Sequence, residues 1–281
     1  MRIAFVTWPG HPEIEDDDRP LAEALAARGA LVVGASWDNG EFEWNALDLV
    51  LLRSPWDYFH RVPEFLDWLA RVEGHTRVVN PPGVVRWNMD KRYLTEFPDR
   101  GIHTTPTAFL ARGEAAVLTD LCADRNWGTV VLKPAVSADS WETVRIEPER
   151  YDEGQAYLDR HLPHRDLLVQ PFIPDVEEGG EQCLIFFGGV YSHAVRKNSA
   201  FKGGRHVGPE GLLISPEEDA ISMAHNVLAK AEVKSLPYAR VDIARDDRGQ
   251  PMLLELELFE PTLFFREKPG SEGLLADLLT S

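Results

Sequence analysis

Residues 253–258 read LLELEL, with Leu254, Leu256 and Leu258 alternating with Glu255 and Glu257. A period of two is the mark of a β-strand, because successive side chains leave the backbone on opposite faces. One face of this strand is apolar and belongs against a core; the other carries carboxylates. Upstream lies a second such segment, YARVDIAR (238–245), joined to the first by the turn-forming stretch DDRGQ. A tight turn centred on Arg248-Gly249 places Asp242 opposite Glu255 and Arg240 opposite Glu257. Three carboxylates and one guanidinium then share a face. A solvated face with an Arg240–Glu257 cross-strand pair is one reading. The other is a cation platform: oxygen ligands this close repel one another unless cations lie between them, and Mg²⁺ is commonly held by one or two carboxylates plus substrate phosphates. The choice turns on whether the rest of the chain supplies phosphate-binding groups.

Two lysines are candidates. Lys133 ends the apolar run TVVLKP (129–134), where a surface lysine has little reason to be, and Lys91 lies in WNMDKRYL at a helix start. The stretch PAVSADS after Lys133 offers small residues, free backbone N–H groups and the hydroxyls of Ser137 and Ser140, a composition suited to closing over phosphate oxygens. It lacks P-loop spacing, and the TWPGHP turn lacks the glycine spacing of a dinucleotide fold. Arg196 and Lys197, with Lys202 and Arg205 behind them, form a cation cluster suited to a carboxylate or phosphate.

The first 88 residues carry four short runs rich in Val, Leu and Ile, at 2–8, 30–36, 48–54 and 76–80, with helical patterns after Asp18 and from Pro63. Strands alternating with helices predict an α/β, doubly wound parallel sheet whose ligands sit beyond the strand ends. The loop RSPWDYFHR there offers Arg53, Trp56, Asp57 and Tyr58 as a substrate wall. After this sheet the pattern becomes mixed. A helix is expected over 114–126, strands at 167–173, 183–187 and 190–197 with a hairpin at Gly188-Gly189, and a capping box at SPEE with Ser215 as N-cap. His161 and His164 have no further ligands in sequence and read as structural. The formal charge of −17 disfavours nucleic acid and anionic membranes as partners. No apolar run reaches membrane-span length, and Cys122 and Cys183 form no C-x-x-C pattern, so a soluble, cytoplasmic protein is expected. A homodimer is the default assembly.

The order Lys91, Lys133 with its small-residue loop, QPFI at 170–173, Glu181, Asp242 and Glu255-x-Glu257 resembles the ATP-grasp superfamily, in its glutathione synthetase and RimK-like branch. The phrases RSPWDY, NMDKRYL, FFGGVYSHAVRK and LELELFEPTLFF are most similar to the cyclo-ligases of cycloserine biosynthesis, which close an O-ureidoserine. The resemblance implies a pre-ATP-grasp domain at 1–88, a small lobe at 89–168 and a C-terminal lobe at 169–281, together a two-lobed α+β grasp. It implies that Lys91 and Lys133 hold ATP phosphates, that Gln170, Pro171, Phe172 and Ile173 meet the adenine edge, and that Glu181 takes the ribose hydroxyls. Asp242, Glu255 and Glu257 would bind Mg²⁺, although the family usually has Asn at the last position. Arg240, Lys133 and Arg196 would be catalytic, and Arg53, Trp56, Asp57, Tyr58, Arg196, Lys197 and Glu260 would contact a small amino-acid-like substrate. The implied reaction is ATP-dependent conversion of a carboxyl group to an acylphosphate and its capture by an amine. An intramolecular cyclo-ligase and a silent nucleotide-binding regulator are the alternatives.

Overall fold

The computed structural model describes residues 1–197, 211–233 and 235–281. The N-terminal unit has strands β1 (Arg2–Thr7), β2 (Leu31–Ser36), β3 (Leu49–Leu52) and β4 (Arg77–Val79), all parallel in the order β2-β1-β3-β4. Every residue of β3 is buried, as a strand covered on both faces by crossover helices must be. Helix α1 (Arg19–Ala27) carries Pro20 in its first turn and buries Leu21 and Leu25; α2 (Val62–Glu73) opens at Pro63 and buries Phe65, Trp68, Leu69 and Val72.

Helices α3 (Pro82–Asn88) and α4 (Tyr93–Glu96) lead into a four-stranded sheet. Its strands are β5 (Ala108–Leu110), β6 (Val130–Pro134), β7 (Val144–Ile146) and β8 (Leu167–Pro171), in the antiparallel order β5-β8-β6-β7. Helices α5 (Leu118–Arg125) and α6 (Tyr151–His161) pack on it, and α7 (Pro174–Glu178) follows. The final sheet takes β9 (Glu181–Phe187), β10 (Val190–Lys197), β11 (Gly211–Ile214), β12 (Tyr238–Arg245) and β13 (Pro251–Glu257), in the antiparallel order β11-β10-β9-β12-β13. Helix α8 (Glu218–Lys230) covers one face; α9 (Ser271–Thr280) joins α1 and β9 around a second core that includes Phe264 and Phe265. Gly188 and Gly189, both at positive φ (58° and 81°), make the tight β9–β10 turn.

Four local expectations change. The helix expected from residue 114 starts at Leu118, because the Glu114 carboxylate accepts the Ala111 N–H (2.8 Å) in a turn. The Ser215 capping box does not form: α8 starts at Glu218, and Glu217, in extended conformation, is its N-cap. The expected lobe boundary between residues 168 and 169 cuts β8, which pairs with β5 and β6, while Tyr93, Leu94, Phe97 and Ile102 pack into the core of the last sheet. The fourth change is in the β12–β13 hairpin. Asp242 does face Glu255 and Arg240 does face Glu257, yet Ile243 pairs with Leu253, so Leu254 is the extra residue of a β-bulge. The turn closes around Asp246 and Gly249 (2.9 Å in both backbone bonds, Asp246 N–H to Gln250 O and Gly249 N–H to Asp246 O), which shifts the register next to it by one residue, and the bulge restores the expected register at the carboxylates. Leu254 is consequently half-buried and turned to a cavity instead of the core. Among the described residues, no helix is long and apolar enough to cross a membrane.

Candidate active site

A cavity of about 340 Å³ opens between the small sheet and the five-stranded sheet. Val131 on β6, Pro171, Phe172, Ile173, Val176 and Leu254 give it an apolar slot, with Gln170 beside them. Gln170 donates to Thr107 Oγ1 (2.8 Å), which fixes its amide. The polar lining comes from Lys91, Lys133, Ser137, Ser140, Glu181, Lys197, Arg240, Glu255, Glu257 and Glu260, with Trp56 reaching in from the N-terminal unit. Fifteen of the residues singled out from the sequence (Trp56, Lys91, Lys133, Ser137, Ser140, Gln170, Pro171, Phe172, Ile173, Glu181, Lys197, Arg240, Glu255, Glu257 and Glu260) thus meet around one space.

The charges are arranged in pairs across it. Lys91 Nζ lies 3.0 Å from Glu255 and donates to the Ser137 carbonyl. Burial opposes the charge of Lys91, but the Glu255 carboxylate, with Glu260 and Glu257 behind it, outweighs burial and raises the lysine pKa. Glu255, half-buried, is held below the ordinary carboxylate range, against the effect of desolvation, by Lys91 and Lys133. Arg240 is 3% exposed and binds Asp242 (2.8 Å) and Glu257, while also donating to Thr262 O (3.2 Å). Burial pushes the Asp242 carboxyl up despite Arg240, and pushes Glu181 up despite Lys197, 3.6 Å away. Lys133 differs from these: among the described residues no carboxylate is within ion-pair distance of its ammonium, and burial pulls its pKa down. A partly desolvated cation that faces a cavity without a fixed counter-ion suits an anion.

Glu255 and Glu257 present hard oxygen donors to the cavity, which fit Mg²⁺, whereas Asp242, 1% exposed, does not line it and accepts from Arg240 at both oxygens. Asp242 also lies close to Glu181 and Cys183, with one ligand atom from each within 4.8 Å of the others. Cys183 was not visible as a site residue, because only the pairing of β9 with β12 sets it opposite Asp242. Its thiol is pushed well up by burial, so it stays protonated and fits a hard cation poorly. Thr105, Thr262 and Phe264 also line the cavity without a signal in the sequence, since each arrives on a loop from a distant segment.

Four expected substrate or catalytic residues are not brought there. Arg53 is 1% exposed, paired with Asp18 (2.9 Å) and donating to Pro261 O (2.8 Å). Asp57 accepts from Trp37 Nε1 (2.6 Å) and Arg61 (2.6 Å), away from the cavity. Tyr58 is buried in the core against Phe259 (5.2 Å between ring centres), and burial, with the Glu260 carboxylate nearby, pushes its hydroxyl pKa well up. Arg196 is exposed, because period two along β10 sends it to the face opposite Lys197. Lys202 and Arg205 lie outside the described residues. His161 rests against Tyr157 and 3.4 Å from Glu142, with no metal cluster around it among the described residues.

Residues 3–80 match the family model of the N-terminal domain of D-cycloserine synthetase DcsG. The cycloserine biosynthesis protein DcsG of Streptomyces lavendulae is 33% identical over 280 residues, covering 93% of this chain and 92% of that protein. The crystal structure of D-cycloserine synthetase DcsG superimposes with a TM-score of 0.92 at 31% identity, covering 99% of this chain and 98% of the other. A RimK domain ATP-grasp protein from Sphaerobacter thermophilus shares the fold at 19% identity, with a TM-score of 0.73 over the full length of both chains.

Proposed function

Because this chain belongs to the family of the cycloserine biosynthesis protein DcsG, whose members are ATP-grasp ligases that form C–N bonds, we propose that it phosphorylates the carboxyl group of a small amino-acid-like substrate with ATP and closes that group on an amine. The observation that carries this reading is Lys133, a half-buried ammonium facing the cavity without an ion pair beside a platform of carboxylates.

In this scheme a carboxylate oxygen of the substrate attacks the γ-phosphorus and ADP leaves. The amine then attacks the acyl carbon, the C–N bond forms, phosphate departs with the C–O bond, and the nitrogen loses a proton. Carboxylate oxygen is a poor leaving group and phosphate a good one, so the chemistry asks the protein mainly for positioning and charge stabilisation. Lys91 and Lys133 bind phosphoryl oxygens, with Lys91 aligned by Glu255 and by the Ser137 carbonyl. Arg240, clamped by Asp242 and Glu257, presents its guanidinium to the acceptor. Gln170 and Phe172 line the slot for the base, and Glu181 with Lys197 lies along the same wall. Asp242 and Glu255, with Glu257, would hold Mg²⁺, which when bound neutralises charge between phosphoryl oxygens. Glu260, raised to about 8 by burial and by Glu257, and Trp56 line the acceptor region. The 33% identity to a cycloserine biosynthesis protein favours an acceptor that carries both carboxyl and amine, hence ring closure.

The test is to incubate the protein with MgATP and a panel of amino acids, short peptides and ureido acids, following ADP and phosphate release and product mass. One product lighter than its acceptor by a water supports the cyclo-ligase, and an adduct of two acceptors supports intermolecular ligation. Nucleotide binding with no turnover on any acceptor makes the protein a regulator, and full turnover by Glu255→Gln removes the metal assignment.

A further inference from the structure

The loop between β6 and β7 is held by the N-terminal unit, and the sequence of the loop alone does not account for its conformation. Its Ser137, Ala138, Asp139 and Ser140 line the cavity. Asp139, Ser140 and Glu142 all have positive φ (52°, 54° and 52°), a region that non-glycine residues adopt at a cost. Three such residues within four positions need support from outside the segment. Trp141, in the middle of them, supplies it. Its ring lies 5.0 Å from Phe59 and 4.8 Å from His60, the latter edge to face, and the Arg165 guanidinium lies 4.5 Å over it. Glu142 is tied next to it: its carboxylate accepts from Arg165 (2.9 Å), and its carbonyl from the Tyr157 hydroxyl (2.8 Å). Val136 and Ala138 pack against the core of the N-terminal unit. The loop over the cavity thus belongs to the small sheet by chain connection and to the N-terminal unit by packing.

We propose that Phe59 and His60 form a clasp for Trp141, and that Trp141 is a positioning residue that holds the 135–142 loop over the phosphates of the bound nucleotide and keeps water out during transfer. This rests on the reading of the cavity as an ATP site. Trp141 itself does not line the cavity, so it acts through Ser137, Asp139 and Ser140, whose backbone it sets. Opening the clasp weakens binding of the part of the ligand that the loop covers and leaves the remainder unchanged.

The experiment measures binding of AMPPNP with Mg²⁺, and separately of adenosine, by titration calorimetry on the whole protein, for the wild type, Trp141→Ala, Trp141→Phe and Phe59→Leu. For Trp141→Ala, AMPPNP affinity is expected to fall roughly tenfold, the factor that one or two ring contacts supply, with adenosine affinity unchanged. Trp141→Phe restores most of the loss, and Phe59→Leu falls between. ADP formed per product formed rises several-fold in Trp141→Ala, because water enters. Equal weakening of adenosine and AMPPNP, or no change in either, overturns the clasp, as does a Trp141→Ala protein that no longer gives a cooperative melt while Phe59→Leu binds AMPPNP like the wild type. If the wild type binds AMPPNP but makes no product from any acceptor, the ligase reading fails while the affinity comparison still decides the clasp; absence of AMPPNP binding by the wild type overturns both.

Discussion

Two buried Arg–Asp pairs in this protein have nearly the same chemistry and different roles. Arg53 lies 2.9 Å from Asp18, and Arg240 lies 2.8 Å from Asp242; all four side chains are at most 5% exposed. Arg53 also donates to the Pro261 carbonyl and lies over the Tyr238 ring, whose hydroxyl in turn binds the carbonyls of Leu52, Val79 and Phe259. That pair joins the N-terminal sheet to the chain leaving β13. Arg240 instead has a second carboxylate, Glu257, and a cavity in front of it. A buried ion pair by itself does not identify an active site; an excess of charged groups facing a cavity does.

The largest expected effect separates cavity from core. Lys133→Met should cut turnover about 10²–10³-fold, the range for losing one charge-stabilising donor, while the melting temperature holds or rises because an unpaired, partly desolvated charge is removed. Steady-state phosphate release and calorimetry check both. Arg53→Met should do the reverse: Asp18 is left buried and uncompensated, costing about 3–5 kcal/mol and lowering the melting temperature by roughly 10 °C. Turnover per folded molecule should stay near that of the wild type; a dead enzyme with an unchanged melt would return Arg53 to the substrate wall.

A pH series sharpens the contrast. Burial raises the Asp18 carboxyl to about 6, against Arg53, so the folded state holds this proton more tightly than the unfolded chain does. Asp18 therefore contributes stability that is complete below about pH 4 and is lost as pH rises through about 6. The stability difference between wild type and Asp18→Asn should move in favour of the variant across that window, measured by urea denaturation at fixed ionic strength. A difference that is flat or of opposite slope means the ion pair outweighs burial. The smallest effect is expected at Arg196, exposed on the far face of β10: Arg196→Ala should change turnover by less than about twofold and stability by less than about 0.5 kcal/mol.

The parallel sheet was readable because its strands are continuous apolar runs separated by helices with ordinary stops, as in β3 and α2. The carboxylate face was readable because Glu255 and Glu257 share a parity on a strand whose hairpin partner is adjacent in sequence. Features set by contacts from outside a segment were not readable in it. Residue type places Arg53 and Tyr58 on a substrate wall, but the chain after Leu258 covers them through Pro261 and Phe259. Arg196 and Lys197 were treated as one cluster, although neighbours on a strand face opposite ways. The bulge at Leu254 depended on Leu253 bonding to both His103 and Thr105, a contact between segments about 150 residues apart.

Local rules of the chain, periodicity, parity and turn chemistry, therefore determined which residues form the strands and which carboxylates lie side by side on β12 and β13. Tertiary packing decided which buried charges meet the cavity, because desolvation and pairing depend on what covers a group, and the covering groups are remote in sequence. It left Arg53 sealed and Lys133 unpaired, placed Cys183 beside Asp242, and set Trp141 against Phe59 and His60.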